Sequence, residues 1–129
     1  MSYKIIHNAK DQIIEVKTLG EMRTYEIDQL IKDITQAIKD NNCFLVLSDY
    51  RESLLIQELL EIYDFPQKIA DALKEAGISM YKVKRAIVVA HDKDKYRFYE
   101  TVAVNRRHYL KMFTDIDEAK KWLLQNNKD

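Results

Sequence analysis

The chain has 129 residues, 47% of them hydrophobic, with two glycines and one proline; this suffices for one sizeable core and leaves little material for linkers, so residues 1–129 are expected to form a single domain. The 21 Lys and Arg balance the 21 Asp and Glu, which argues against a dedicated nucleic-acid or anionic-membrane binder, since those carry a basic excess. No apolar stretch approaches the roughly 20 residues that span a bilayer, Lys4, Lys10 and Asp11 interrupt any leader pattern, and the lone Cys43 has no partner for an internal disulfide; the expected compartment is the cytoplasm.

Tyr3–His7 and Ile13–Leu19 are rich in Ile and Val, with turn-like Asn8-Ala9-Lys10-Asp11 between them, which predicts an antiparallel hairpin. In its second strand Ile14, Val16 and Thr18 share one face, and Ile13, Glu15, Lys17 and Leu19 the other. Thr24 is placed to cap a helix with Glu26 and Asp28 in its first turn. Ile27, Leu30, Ile31, Ile34, Ala37 and Ile38 recur at helical spacing as far as Asn41-Asn42. Cys43–Leu47 is a continuous apolar run, suited to a strand covered on both faces, with Cys43 as a buried structural thiol. Ser48-Asp49-Tyr50-Arg51-Glu52-Ser53 reads as the exit loop of that strand, and Leu54–Phe65 as an irregular helix whose apolar residues cover more than one stripe.

Asp64 with Gln67 has capping-box spacing for a further helix, with Pro66 in its first turn and Gly77 as its left-handed stop. Lys84–Ala90 is the next buried strand and His91-Asp92-Lys93 its exit. A helix from Lys93 to Arg107 presents Tyr96, Tyr99, Val102, Ala103 and Arg106 on a broad face. Tyr109–Phe113 is a short strand, and Asp115 with Glu118 opens a last helix whose core contacts are Ile116, Ala119, Trp122 and Leu123. Helix and strand alternate after the hairpin. The pattern predicts an α/β fold with a mixed, mostly parallel sheet and helices on both faces, in which the apolar runs beginning at Phe44 and Ala86 lie side by side and parallel.

This element order resembles that of small bacterial STAS-like proteins, which share the fold of the sulfate-transporter and anti-sigma-factor-antagonist domain and are related to CRAL-TRIO lipid-transfer domains. The resemblance is carried by Phe98-Tyr99-Glu100-Thr101-Val102-Ala103 through Asn105-Arg106-Arg107, then by Met112-Phe113-Thr114-Asp115 through Glu118-Ala119 and Trp122-Leu123. It covers nearly the whole chain, but through packing residues, so it implies a STAS-like fold more than an activity. Anti-sigma antagonists carry Asp-Ser-Ser/Thr-Gly at the helix start after the central strand, with a residue that a partner kinase phosphorylates. Here Ser48-Asp49 and Glu52-Ser53 stand nearby, without an Asp-Ser pair or a Gly, so that phosphosite does not carry over.

Strand exits gather at one edge of a parallel sheet, where ligands bind. Asp49, Tyr50 and Arg51 with His91 and Asp92 are therefore candidates for a shared polar pocket, joined by Tyr96 and Tyr99 from the following helix. The plainer alternative has Asp49 and Asp92 capping helices and Arg51 pairing with Glu52 or Asp49. Leu54–Phe65, with Leu55, Leu59, Ile62 and Tyr63, reads as a lid over an apolar ligand or a homodimer surface, or else as a wedge in the core. Asn105-Arg106-Arg107-His108 is a weak phosphate candidate beside its plainer role at a helix end, and Lys82, Lys84 and Arg85 lead into a strand that they flank. His7, His91 and His108 are isolated and Cys43 sits in a strand, so no metal site is expected. Neither a nucleophile elbow nor a glycine-rich phosphate loop is present, and no cofactor is expected.

The leading expectation is a non-enzymatic binding or regulatory module, acting through protein contacts as a homodimer that uses Leu54–Phe65. The alternative is a carrier of a small apolar or lipid-like ligand held between that segment and the helix with Tyr96 and Tyr99. A third is an enzyme with Asp49 and His91 as acid and base.

Overall fold

The structure is a computed structural model that describes residues 1–90 and 94–125, with Leu59 described by its backbone alone. Strands β1 (Ser2–Asn8) and β2 (Ile13–Met22) are followed by α1 (Thr24–Asn41), β3 (Leu45–Leu55), α2 (Leu59–Glu75), β4 (Lys84–Val88), α3 (Asp94–Asn105), β5 (Tyr109–Phe113) and α4 (Ile116–Leu124). The five strands form one sheet in the order β1-β2-β3-β4-β5. β1 and β2 run antiparallel, and every later pair is parallel. The two apolar runs lie side by side as expected, with Leu47 opposite Ala86.

Each crossover advances by one strand in the same direction. Crossovers of one hand then all fall on the same side of the sheet, so α1, α2 and α3 cover one face. Ile14, Val16, Val46 and Ile87 point up into these helices. Strand alternation turns Ile13, Leu47, Ala86 and Val88 to the opposite face, where Ala119 and Leu123 of α4 cover them. Helices thus lie on both faces, unequally. Cys43 is buried, as expected.

Several boundaries differ from the sequence reading. Ser48–Ser53 is not an exit loop: β3 continues to Leu55 because β2 continues to Met22 and supplies a ladder partner. After a register shift between Lys17 and Leu19, Leu19–Met22 pair with Glu52–Leu55, and the hydroxyls of Thr18 and Ser53 bond to each other across the pair. The irregular helix over Leu54–Phe65 and its successor are in fact one helix, α2, with Pro66 inside it and Asp64 capping nothing. The apparent extra apolar stripe came from joining the end of a strand, Leu54-Leu55, to the start of a helix. Pro66 is fully buried; lacking an N–H, it interrupts the helical ladder at the Ile62 carbonyl.

Thr24 is the first residue of α1, whose N-cap is Arg23 with no side-chain cap. The Thr24 hydroxyl is engaged instead, donating to Glu61 at 2.9 Å and accepting from Gln57 at 3.3 Å. β4 ends at Val88 rather than Ala90. Asp115 caps α4 as expected, its Oδ1 accepting from the backbone N–H of Asp117 at 2.8 Å and of Glu118 at 3.2 Å. Gly77, with φ +75°, follows the end of α2, where the Ile78 N–H closes back onto the Leu73 carbonyl at 2.9 Å.

Candidate functional site

The apolar stripe of α1 and the inner face of α2 do not close completely on the sheet. Between them and α3 lies a cavity of about 80 Å³, several times the 10–15 Å³ or so that admits a single water. Leu30, Ile31 and Ile34 of α1, and Phe65, Ile69 and Leu73 of α2, give it hydrocarbon walls. Met22, Val46 and Leu55 supply its floor from the sheet.

Its polar lining comes from four elements: Thr35 on α1, whose hydroxyl donates to the Ile31 carbonyl at 2.7 Å, Ser48 and Tyr50 on β3, Arg85 on β4, and Tyr96 and Tyr99 on α3. Arg85 pairs with Val46 on one side and Leu110 on the other, so its guanidinium rises from the middle of the sheet. Its Nη1 donates to the Tyr99 hydroxyl at 2.9 Å, while Nη2 is buried without a partner. No carboxylate among the described residues forms an ion pair with it. The Tyr96 hydroxyl is also buried without a partner. The Tyr50 and Tyr96 rings lie 6.4 Å apart.

Burial and then the neighbouring Tyr99 push the Tyr50 phenol up to about 12, against the opposing pull of Ser48 and Arg85. Burial, followed by Tyr50, pushes the Tyr96 phenol up as well. Both remain neutral hydroxyls at physiological pH, able to donate. His108 is buried close by; burial first, then the positive charges of Arg85 and Arg106, bring its imidazole down to about 4, against a hydrogen bond to the Pro66 carbonyl.

The residues singled out in the sequence divide between locations. Tyr50, Tyr96, Tyr99 and Leu55 line the cavity. Asp49 and Arg51, neighbours of Tyr50 on a pleated strand, cannot share its face. Asp49 instead faces α4 beside Ile116 and Lys120. There it accepts from Arg51 Nε at 2.9 Å, Arg51 Nη2 at 2.8 Å and Lys17 Nζ at 3.2 Å. Burial alone would raise its carboxyl, but the Arg51 and Lys17 hydrogen bonds outweigh burial and hold it at about 2. The plainer reading of the Asp49–Arg51 pair is therefore the one realised. His91 and Asp92 lie outside the described residues, as does the Leu59 side chain. Ile62 is fully buried and Tyr63 half exposed, with the Arg106 guanidinium 4.3 Å from the centre of the Tyr63 ring. In the basic joint, Arg106 is thus stacked, Arg107 takes a left-handed φ of 69°, and His108 is buried.

Sequence reasoning misses Arg85 as a cavity residue, whereas Ser48 stands in the polar stretch Ser48-Asp49-Tyr50-Arg51 expected there. A signal existed for Arg85: it stands two residues before Ile87 in an otherwise apolar strand, hence on the same face, whereas the sequence reading set it among flanking charges. Among the described residues no cluster of three His, Cys, Asp or Glu side chains is arranged to hold a metal ion, and no helix is long and apolar enough to cross a membrane.

No protein-family model matches the chain, and no characterised protein matches its sequence at a significant level.

Proposed function

We propose that this protein is a non-enzymatic binding module of the STAS-like type that takes up a small, largely apolar ligand between its sheet and the helices α1 to α3. The observation that supports this is the cavity itself, with hydrocarbon walls from two helices and a few polar groups from β3, β4 and α3. That composition suits a site in which apolar contact supplies affinity and a few polar groups set orientation. An acid–base role for Asp49 in this cavity is disfavoured, because its carboxylate faces α4 and is held by Arg51 and Lys17. A neutral probe, 1-octanol, tests the reading by calorimetric titration. Saturable binding at one site per chain is expected, and Ile31→Trp, which fills the cavity from α1, should abolish it while the protein stays folded. Binding that survives Ile31→Trp unchanged would place the ligand elsewhere.

A second reading, a regulatory module that pairs with another copy of the chain, has its own support. Leu60 is 85% exposed and Tyr63, one helical turn further along α2, is 49% exposed. Light scattering across a concentration series tests it: a dimer that Leu60→Glu converts to a monomer is expected, and a monomer at every concentration refutes it.

A further inference from the structure

We infer that the cavity's ligand carries a carboxylate, received by Arg85, with its hydrocarbon body lying against α1 and α2. This rests on the small-ligand reading above and adds the chemical class of the ligand.

The argument begins with an imbalance of charge. A guanidinium withdrawn from water needs an anion or a full set of acceptors, because its desolvation is otherwise uncompensated. Arg85 has neither: the residue is partly exposed as a whole, but Nη1 donates to the Tyr99 phenol, a neutral acceptor, and Nη2 is buried with nothing to donate to. The charged or titratable groups around it do not correct this. Arg106 adds positive charge, and His108 is neutral at physiological pH. The local field in this part of the cavity is therefore positive.

A second group makes the same demand. The Tyr96 hydroxyl lines the same cavity on a residue only 3% exposed, and it too has no partner. Arg85 can only donate and a phenol donates readily, so both lack acceptors. A carboxylate supplies two acceptor oxygens and the missing negative charge together. A neutral alcohol brings one oxygen and no charge. An ammonium head is repelled. A phosphate dianion brings further oxygens that need further donors, while Ser48 and Tyr50 are already engaged with each other. The hydrocarbon walls require the rest of the molecule to be apolar. The class that fits is a small amphipathic monocarboxylate.

Calorimetric titration with four probes of one chain length tests this: octanoate, 1-octanol, octylamine and octyl phosphate. On the wild-type protein octanoate should bind at least about tenfold more tightly than 1-octanol, as expected when a charge-assisted contact is added, and octylamine should not bind. Arg85→Gln should weaken octanoate by about tenfold or more relative to its effect on 1-octanol, removing the preference for the carboxylate. Equal binding of octanoate and 1-octanol would overturn the carboxylate inference while leaving the apolar site intact. Tighter binding of octyl phosphate than of octanoate would overturn it in favour of another anion. Failure of all four probes would remove the small-ligand reading itself. Should Arg85→Gln not fold, the ranking of the probes on the wild-type protein decides alone.

Discussion

Lys84 and Arg85 are consecutive in β4, and the pleat sends one to each face of the sheet. Arg85 enters the cavity; Lys84 turns under the sheet, where its ammonium donates to the carbonyls of Trp122 at 2.6 Å, Leu123 at 3.3 Å and Gln125 at 3.4 Å. It also lies 4.5 Å from the centre of the Trp122 ring. These carbonyls lie at the C-terminal end of α4, where that of Trp122 also accepts the Gln125 N–H at 3.2 Å, and a cation there complements the helix dipole. Lys84→Met keeps the stem but removes these bonds, and should cost about 2 kcal/mol in urea denaturation; an unchanged midpoint would show that the bonds contribute nothing. His108 supplies a pH dependence. Its folded pKa of about 4 lies below the ordinary 6.5 because burial and two arginines oppose the imidazolium. The unfolded chain therefore takes up this proton first. The stabilisation is complete above about pH 6.5 and is lost as pH falls toward 4, by roughly 3 kcal/mol in all. Denaturation midpoints measured between pH 7.5 and 4.5 should show that slope, and His108→Gln should flatten it. Asp49, held at about 2, contributes in a lower window, with its stabilisation lost only as pH falls from about 4 toward 2.

Among the elements, the joint extension of β2 and β3 most changes the picture. Gly20 stands in the extended part of β2 with φ +91°, a conformation that a residue with a Cβ adopts only under strain. A Cβ there would meet no backbone closer than 3.8 Å, so the difficulty is conformational rather than steric crowding. Gly20→Ala should therefore cost about 1 kcal/mol, read as a lower thermal midpoint. Equal stability would mean that the strand relaxes to another conformation. The extension carries Tyr50 along the inner face and delivers Leu55 to the cavity floor; a loop from Ser48 onward would do neither. α2 likewise serves two surfaces as one continuous helix. Phe65, Ile69 and Leu73 line the cavity, while Leu60 and Tyr63 remain outside.

Over the molecule as a whole, the two faces of the sheet are covered differently. Three helices share one face and leave a cavity between them, whereas α4 alone covers the other through Ala119, Leu123 and the Lys84 bonds. The central strands β3 and β4 each have a neighbour on both sides and are buried on both faces, so their amides should exchange slowest with solvent. α4 has the smaller contact and should open first. Lys84→Met should speed exchange in α4 before it changes β3 or β4. Simultaneous loss of protection everywhere would mean that α4 is part of the global unit. Much of this frame was legible in the sequence: the hairpin, the parallel pairing of the runs at Phe44 and Ala86, and the caps at Gly77 and Asp115. Each follows from local periodicity or from one residue's preference. Of the site, Tyr50, Leu55, Tyr96 and Tyr99 are legible in the sequence, but Asp49 and Arg51 group with Tyr50 only in a loop, and the pleat of β3 separates them.

The order of apolar and polar residues by itself determined that helices and parallel strands alternate, because periods of 3.6 and 2 are local properties of the chain. Which strand continues past its apolar run, and which charges come inside, depended on a partner distant in sequence. β2 extends β3, and the flanking strands with the helices above them enclose Arg85. The cavity and its uncompensated guanidinium exist only in the packed molecule, since both arise where three helices meet one face of the sheet without filling it.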